Sequence, residues 1–381
     1  MPALLGATTS LSPGPGLVFA PSRLGAYHWG RLAVIVAAWA WLVATIIVLG
    51  WLGSIWLSVK GSLNNQMDSG AFLNAAALWP HLYSSQPATF LSPPLVALLA
   101  LPFLHVPLTF EPLAWRILLV AALVLAWRLA ELKHSPRLWL LVLLGNPITF
   151  FTLTQGQATP FALLGLAGAA WLWRRGRLLE AGIVLALAAQ AKPTLFIAVP
   201  LALLAANQAR LLLGMVLGAL AIGLLYTLLL GPTWLPDFLS ATVSDHKNLL
   251  SAESNTVASL GGIAWAVRAL ILVLVPLVAW RKSPEVAVIV ALAGSLVLTP
   301  YLHQEDPLVL FMVAWLFARI HSPRLSVCVA ATGLVAAWAF APLLMIIWEF
   351  GVLLVATNLW RQGLLSPLAH RLRIARPLPS F

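Results

Sequence analysis

Acidic residues are rare in this chain, and each of them could act as a base or bind a cation. The sequence has 381 residues, of which only 11 are Asp or Glu, whereas 61% are hydrophobic. Asp68 lies in a polar segment, residues 60–91, that follows a long apolar run. A carboxylate there could accept a proton from a reacting hydroxyl group, or it could cap the N-terminus of the helix predicted over residues 69–79. Both interpretations stay open from the residue alone.

Two further polar segments hold most of the other candidates for chemistry. Residues 300–307 read PYLHQEDP and place His303, Glu305 and Asp306 within four positions. Imidazole and carboxylate groups suit divalent cations, but a group this compact offers two or three ligands at most. Residues 231–255 include Lys247, a candidate cation for an anionic substrate, within a loop that could equally be a solvated connection.

Polar side chains also interrupt the apolar runs. Lys192 stands in AAQAKPTLF, directly before Pro193. A lysine at membrane depth is costly, and it is either functional or reaches the interface with its ammonium group. Gln155 and Gln157 flank Gly156 in the segment NPITFFTLTQGQATP. Their amides could join helices by hydrogen bonds or face a sugar.

The composition excludes several classes of protein. Only 9% of the residues are charged and mean hydropathy is +0.95, whereas a soluble domain carries about 25% charged residues. Disorder requires the opposite composition. A single cysteine, Cys328, rules out an intrachain disulfide or a cysteine-cluster metal site. The net charge of +11 comes from scattered Lys and Arg, which is typical of positive-inside topology rather than of nucleic-acid binding.

The apolar runs predict an all-α, polytopic bundle of about 12 transmembrane spans. Each full crossing needs roughly 20 residues. The proline-rich stretch 91–109 predicts a re-entrant or interfacial hairpin instead. The basic clusters fall at alternate connections and place those connections in the cytoplasm. The predicted spans are 32–59, 112–130, 138–154, 158–173, 178–191, 193–206, 211–230, 257–280, 285–300, 307–319, 325–340 and 342–358.

The predicted domain organisation has three parts. Residues 1–30 are expected to form a disordered cytoplasmic tail, residues 31–360 the transmembrane domain, and residues 361–381 a basic cytoplasmic tail. Within the transmembrane domain, residues 60–90 form the first outer loop. Phe72, Ala75, Ala76 and Trp79 share one face there and predict an amphipathic helix.

Several motifs, taken in order, resemble glycosyltransferase family 87, whose members are membrane mannosyltransferases of the GT-C superfamily. The resemblance covers about residues 31–319 and is carried by DSGAFLNAAALW, NPITFFTLTQGQATPFALL and RRGRLLEAGIVLALAAQAKPTLF. It implies that Asp68 is the general base. It also matches the family's Gly-Gln, Lys-Pro and Pro-Tyr-x-His motifs to Gly156-Gln157, Lys192-Pro193 and Pro300-Tyr301-Leu302-His303. Two departures, Thr159 and the Phe72-Leu73 pair, bear on the identity of the acceptor.

The resemblance implies an inverting enzyme that moves a sugar, most often mannose, from a polyprenyl-phosphate donor to a glycolipid or glycan. The reaction would take place on the outer face of the plasma membrane, with membrane lipids as further partners and no nucleic acid. No cofactor is expected, although a divalent cation stays an alternative. A transporter or flippase, and a non-catalytic envelope subunit, are the other classes considered. The residues expected to bind substrate are Asn74, Gln155, Gln157, Lys192, Lys247, His303 and Asp306.

Overall fold

The fold is helical throughout the part of the chain that the computed structural model describes. That part comprises residues 68–83, 90, 92–107, 110–132, 136–242, 262–299 and 306–320, all within the compact unit Ile47–Phe381. No strand occurs in these ranges, which confirms the all-α prediction. The predicted spans 32–59, 325–340 and 342–358, both predicted tails, Lys247 and His303 lie outside the described residues.

The helices follow one another with short connections. Helices α1 to α5 are Asp68–Ala77, Pro94–Ala100, Glu111–Ala130, Pro136–Gly145 and Pro147–Gln155. Helices α6 to α9 are Thr159–Trp173, Leu178–Ala191, Val199–Ala205 and Ala209–Leu230. Helices α10 to α12 are Gly262–Ala279, Pro284–Leu298 and Leu310–Ile320. Short 3-10 helices are Leu101–His105, Pro193–Phe196 and Asp306–Val309, and residues 234–242 are also helical.

Three of these helices are long and apolar enough to cross a membrane, namely α3, α9 and α10. At 1.5 Å per residue each reaches roughly the 30 Å of a bilayer's hydrocarbon. Large side chains along α9 are left exposed, among them Leu220 at 66% and Leu228 at 75%. Such surface is unfavourable in water and ordinary in lipid. The chain is therefore a membrane protein.

Small residues set the spacing of the central helices. Gly165 of α6 faces Ala188 of α7, where a Cβ on the glycine would lie 2.5 Å from the alanine Cβ. Gly182 of α7 meets the backbone of α9 beside Gly214 in the same way. In a bilayer, close backbone approach of this kind replaces the hydrophobic driving force between helices. These contacts pack α6, α7 and α9 closely side by side.

Hydrogen bonds between connections bring several helix ends together. At one end, the C-terminus of α3 lies against the connection that follows α6, because the guanidinium of Arg174 donates to the carbonyl of Leu129 at 2.7 Å. We call this end the basic end. Arg319, at the end of α12, donates to the carbonyl of Glu131 at 2.9 Å. The amide of Arg281 donates to Ala205 at 3.0 Å. The indole nitrogen of Trp173 donates to the carboxylate of Glu285 at 3.1 Å, which joins this pair of connections to the others at one end.

The predicted boundaries of α6 and α7 agree with the structure to within one residue. The single helix predicted over 138–154 is instead two helices, because Pro147 has no N–H group to continue α4. The side chain of Asn146 accepts a hydrogen bond from the amide of Thr149 at 3.0 Å and starts α5. The hairpin predicted over 91–109 contains α2 and its 3-10 extension, which are together too short for a full crossing.

Candidate active site

A buried ion pair lies at the opposite end of the bundle from the basic end. The ammonium nitrogen Nζ of Lys192 is 2.7 Å from the carboxylate oxygen Oδ1 of Asp306. The Lys192 side chain is 13% exposed and that of Asp306 is fully buried. Two charges removed from solvent are tolerated when they are paired, because each offsets the desolvation cost of the other. Lys192 therefore does not extend into solvent as an isolated lysine at an interface would.

Chain geometry explains why Lys192 is in this place. Helix α7 ends at Ala191, and Lys192 takes an extended conformation with φ −153° and ψ 82°. The proline that follows disfavours the α conformation at Lys192 by steric overlap. The chain then continues as the 3-10 helix Pro193–Phe196. The break directs the lysine side chain away from the helical ladder and into the bundle.

Asp306 begins the short 3-10 helix that leads into α12. This 3-10 helix packs against α6, α5 and α11. All four of its residues, Asp306–Val309, are buried. The carboxylate is therefore held on an element that packs against α5 and α6, and Lys192 meets it from the end of α7.

The α5–α6 corner is a tight turn at Gly156 and Gln157. Gly156 has φ +74°, a conformation that glycine adopts without strain. The indole nitrogen of Trp115 donates to the Gly156 carbonyl at 2.8 Å. The guanidinium of Arg116 donates to the carbonyls of Leu153 and Thr154, both at 3.0 Å. Two α3 side chains thus fix the turn, and Gln157 is buried within it at 6% exposure.

The start of α1 packs directly on this turn. A Cβ placed on Gly156 would lie 2.5 Å from the Cβ of Ser69. One helical turn further along, the ring of Phe72 contacts the ring of Trp115 with centroids 5.9 Å apart. Asp68 is the first residue of α1, so its backbone is next to the Gly156 turn. The amphipathic helix predicted here is present, with Phe72, Ala75 and Ala76 buried.

The remaining predicted site residues have different surroundings. Asn74 is exposed on α1 and Gln155 is half-buried at the end of α5. Within the described residues, no three His, Cys, Asp or Glu side chains come together as a metal site. Of the three residues considered as metal ligands, His303 and Glu305 lie outside the described residues. The carboxylate of the third, Asp306, contacts Lys192.

Buried Arg116 and half-buried Arg268 support this end of the bundle, and neither was among the predicted site residues. Arg116 lies near the start of α3, and Arg268 lies inside the apolar sequence of α10. The guanidinium of Arg268 donates to the carbonyl of Thr299 at 3.1 Å, at the C-terminus of α11. A charged residue inside an apolar helix is itself a signal of function or support. That signal was present in the sequence for both residues.

The fold and this polar end define the class of the protein as a polytopic helical membrane protein with a buried charged site at one end of its bundle. The sequence model of glycosyltransferase family 87 matches residues 90–323, more than half of the chain. The chain belongs to glycosyltransferase family 87, and it is a glycosyltransferase rather than a transporter. Searches of curated proteins and of solved structures gave no significant match.

Proposed function

We propose that the protein is an inverting glycosyltransferase that moves mannose from a polyprenyl-phosphate donor to a hydroxyl group of a glycolipid or glycan. The C1–phosphate bond of the donor breaks, and a bond forms between C1 and the acceptor oxygen. The hydroxyl proton passes to a protein base, and polyprenyl phosphate leaves. No metal or cofactor takes part in this proposed sequence.

One observation carries the proposal, namely the convergence of three elements at one corner of the bundle. The start of α1, with Asp68, packs on the Gly156 turn. The 3-10 helix of Asp306 packs on α5 and α6, which this turn connects, and Asp306 is paired with Lys192. These elements are joined by successive packing contacts, and we infer that they bring a carboxylate, an amide and a cation close enough to act on one substrate. Transfer from a phosphate to a hydroxyl needs groups of these kinds.

Each residue has a proposed role. Asp68 is the general base on the acceptor hydroxyl. Lys192 stabilises the negative charge that develops on the leaving phosphate, since a cation in a water-poor site acts strongly on nearby charge. Asp306 fixes the position of the ammonium group. Gln157 is proposed to bind sugar hydroxyl groups, and Asn74, Gln155, His303 and Lys247 stay candidates for substrate binding.

We place the site on the extracytoplasmic side of the plasma membrane. The support is the clustering of Arg174, Arg281 and Arg319 at the basic end, because Lys and Arg concentrate in cytoplasmic connections. The site lies at the other end, where a polyprenyl donor held in the bilayer would meet it. The predicted 12 spans and the three-part domain organisation belong to this proposal.

The donor can be tested with the purified full-length chain in lipid nanodiscs. Mannose with a radioactive label is supplied as the polyprenyl-phosphate conjugate or, in a parallel reaction, as a nucleotide conjugate, each with membrane glycolipid extract as acceptor. The proposal expects labelled glycolipid and free polyprenyl phosphate in the first reaction only. Transfer from the nucleotide conjugate, with none from the lipid conjugate, would overturn it.

A further inference from the structure

A cavity lies at the same end of the bundle as the candidate active site, beyond the C-terminus of α1. It has a volume of about 250 Å³ and lies between residues 80–83 on one side and Leu230, Thr233, Trp234 and Asp237 on the other. Cavities for drug-sized ligands measure roughly 300–1,000 Å³, so this one has room for a single sugar residue. None of its lining residues belongs to the candidate active site.

Two aromatic rings form fixed walls of the cavity. The indole nitrogen of Trp234 donates to Thr227 at 3.1 Å, and the ring of Tyr226 packs edge-on against it at 5.1 Å. The hydroxyl of Tyr83 donates to the carbonyl of Ser92 at 2.9 Å, and burial raises the pKa of that hydroxyl, which keeps the donor protonated. Both polar atoms are bound outside the cavity. The rings therefore offer rigid apolar surface, on which the C–H groups of a sugar ring can pack at low entropic cost.

The polar lining suits a neutral ligand that has several hydroxyl groups. Asp237 and Thr233 are exposed on the helical segment 234–242 and just before it, and His81 is exposed across from them. A carboxylate accepts two hydrogen bonds, while threonine and histidine can each donate and accept. No Lys or Arg is among the described residues that line the cavity, so this part of the lining gives a phosphate group little attraction. A few placed polar groups with aromatic walls are the usual composition of an orienting ligand site.

From this geometry we infer that the cavity is a subsite for one hexopyranosyl unit of the acceptor glycan, remote from the reacting hydroxyl. The inference rests on the proposed function. Helix α1 separates the cavity from Asp68, and its ten residues extend about 15 Å at 1.5 Å per residue. A glycan that reaches from one place to the other is held at two points. Binding energy from the remote sugar then orients the reacting hydroxyl at Asp68.

The test is a binding measurement that needs no turnover. Methyl α-mannopyranoside is titrated into the full-length protein in nanodiscs and followed by saturation-transfer difference NMR. Cyclohexylmethanol serves as the apolar comparison. Saturable binding of the glycoside is expected, with at least a tenfold weaker response in Trp234→Ala and in Asp237→Asn. The second variant is exposed and nearly isosteric, so it tests the site without disturbing the fold.

Leu235→Ala is the matched control, because Leu235 lies on the same segment, is 45% exposed and does not line the cavity. It should bind as the wild type does. Absence of glycoside binding, equal binding of cyclohexylmethanol, or an equal loss in all three variants would overturn the inference. Asp68→Asn should bind the glycoside normally. Failure of this subsite is therefore distinguishable from failure of the proposed catalytic role.

Discussion

Lys192 and Asp306 form a 2.7 Å ion pair although they come from distant parts of the chain. The pair connects the end of α7 to the 3-10 helix before α12, and this helix packs against α5 and α6. Lysine alone at this depth would be costly. The carboxylate lowers that cost and also fixes the direction of the ammonium group. Stability requires only that the two buried charges are paired, whereas the proposed catalysis requires the ammonium group itself.

Single and double variants can separate the effect of the pair on stability from its effect on activity. Asp306→Ala leaves the lysine buried without this partner and should destabilise the fold by about 3–5 kcal/mol. Lys192→Met with Asp306→Leu removes both charges and should restore much of the stability, because well-packed apolar residues often replace a buried pair at little cost. The double variant should nevertheless lack transfer activity. Thermal unfolding and a transfer assay on the same preparations measure both quantities. An active double variant would show that the pair is only structural.

The Gly156 turn provides a second test of the site. Gly156→Ala forces a side chain into a left-handed backbone conformation and into the space of Ser69. It should displace the start of α1, with Asp68, and reduce kcat by at least tenfold.

Gly176→Ala is the matched control, because Gly176 has φ +76° but no atom within 4 Å of the added Cβ. Both variants should lose roughly 1 kcal/mol of stability from backbone strain, and Gly156→Ala should lose more because its side chain overlaps Ser69. Only Gly156→Ala should lose activity as well. Equal kinetic effects in the two variants would contradict the assigned contact between the turn and α1.

The ion cluster at the basic end predicts a pH dependence of stability. Glu131 accepts a 2.7 Å hydrogen bond from Arg175. This bond, with the charges of Arg174 and Arg319, lowers the pKa of Glu131 below its usual 4.5. A lowered pKa in the folded state contributes stability above the unfolded-state value, and that contribution is lost as the pH falls through the folded value.

Glu131→Gln should therefore be less stable than the wild type at pH 7, and the difference should fade below about pH 4. The carboxylate is 39% exposed, so the effect is expected to be at most about 1 kcal/mol. Melting temperatures of both proteins at the two pH values provide the measurement. A difference that grows on acidification would contradict the direction of the shift.

The sequence predicted the helices better than the contacts between them. Bounds such as those of α6 and α7 follow from apolar runs that end at basic clusters or at a lysine-proline pair, and these are local signals. The break at Asn146-Pro147 was also local, but the apolar run on both sides obscured it. The Lys192–Asp306 pair depends on how α7 and α12 meet, and no spacing in the sequence contains that information. Arg116 and Arg268 were missed because each stands alone within an apolar run, outside the basic clusters that mark topology.

The central claim is that Asp68 is the base of a glycosyl transfer, and one measurement tests it most directly. Initial rates of mannose transfer from the polyprenyl-phosphate donor are compared for wild type, Asp68→Asn and Glu180→Gln in matched membranes. Glu180 is exposed and paired with Arg177 on the first turn of α7, so its variant controls for the loss of a carboxylate elsewhere. The account predicts a loss on the order of 10²–10⁴-fold for Asp68→Asn, with normal expression, and a normal rate for Glu180→Gln. An Asp68→Asn protein that transfers mannose at the wild-type rate would contradict it.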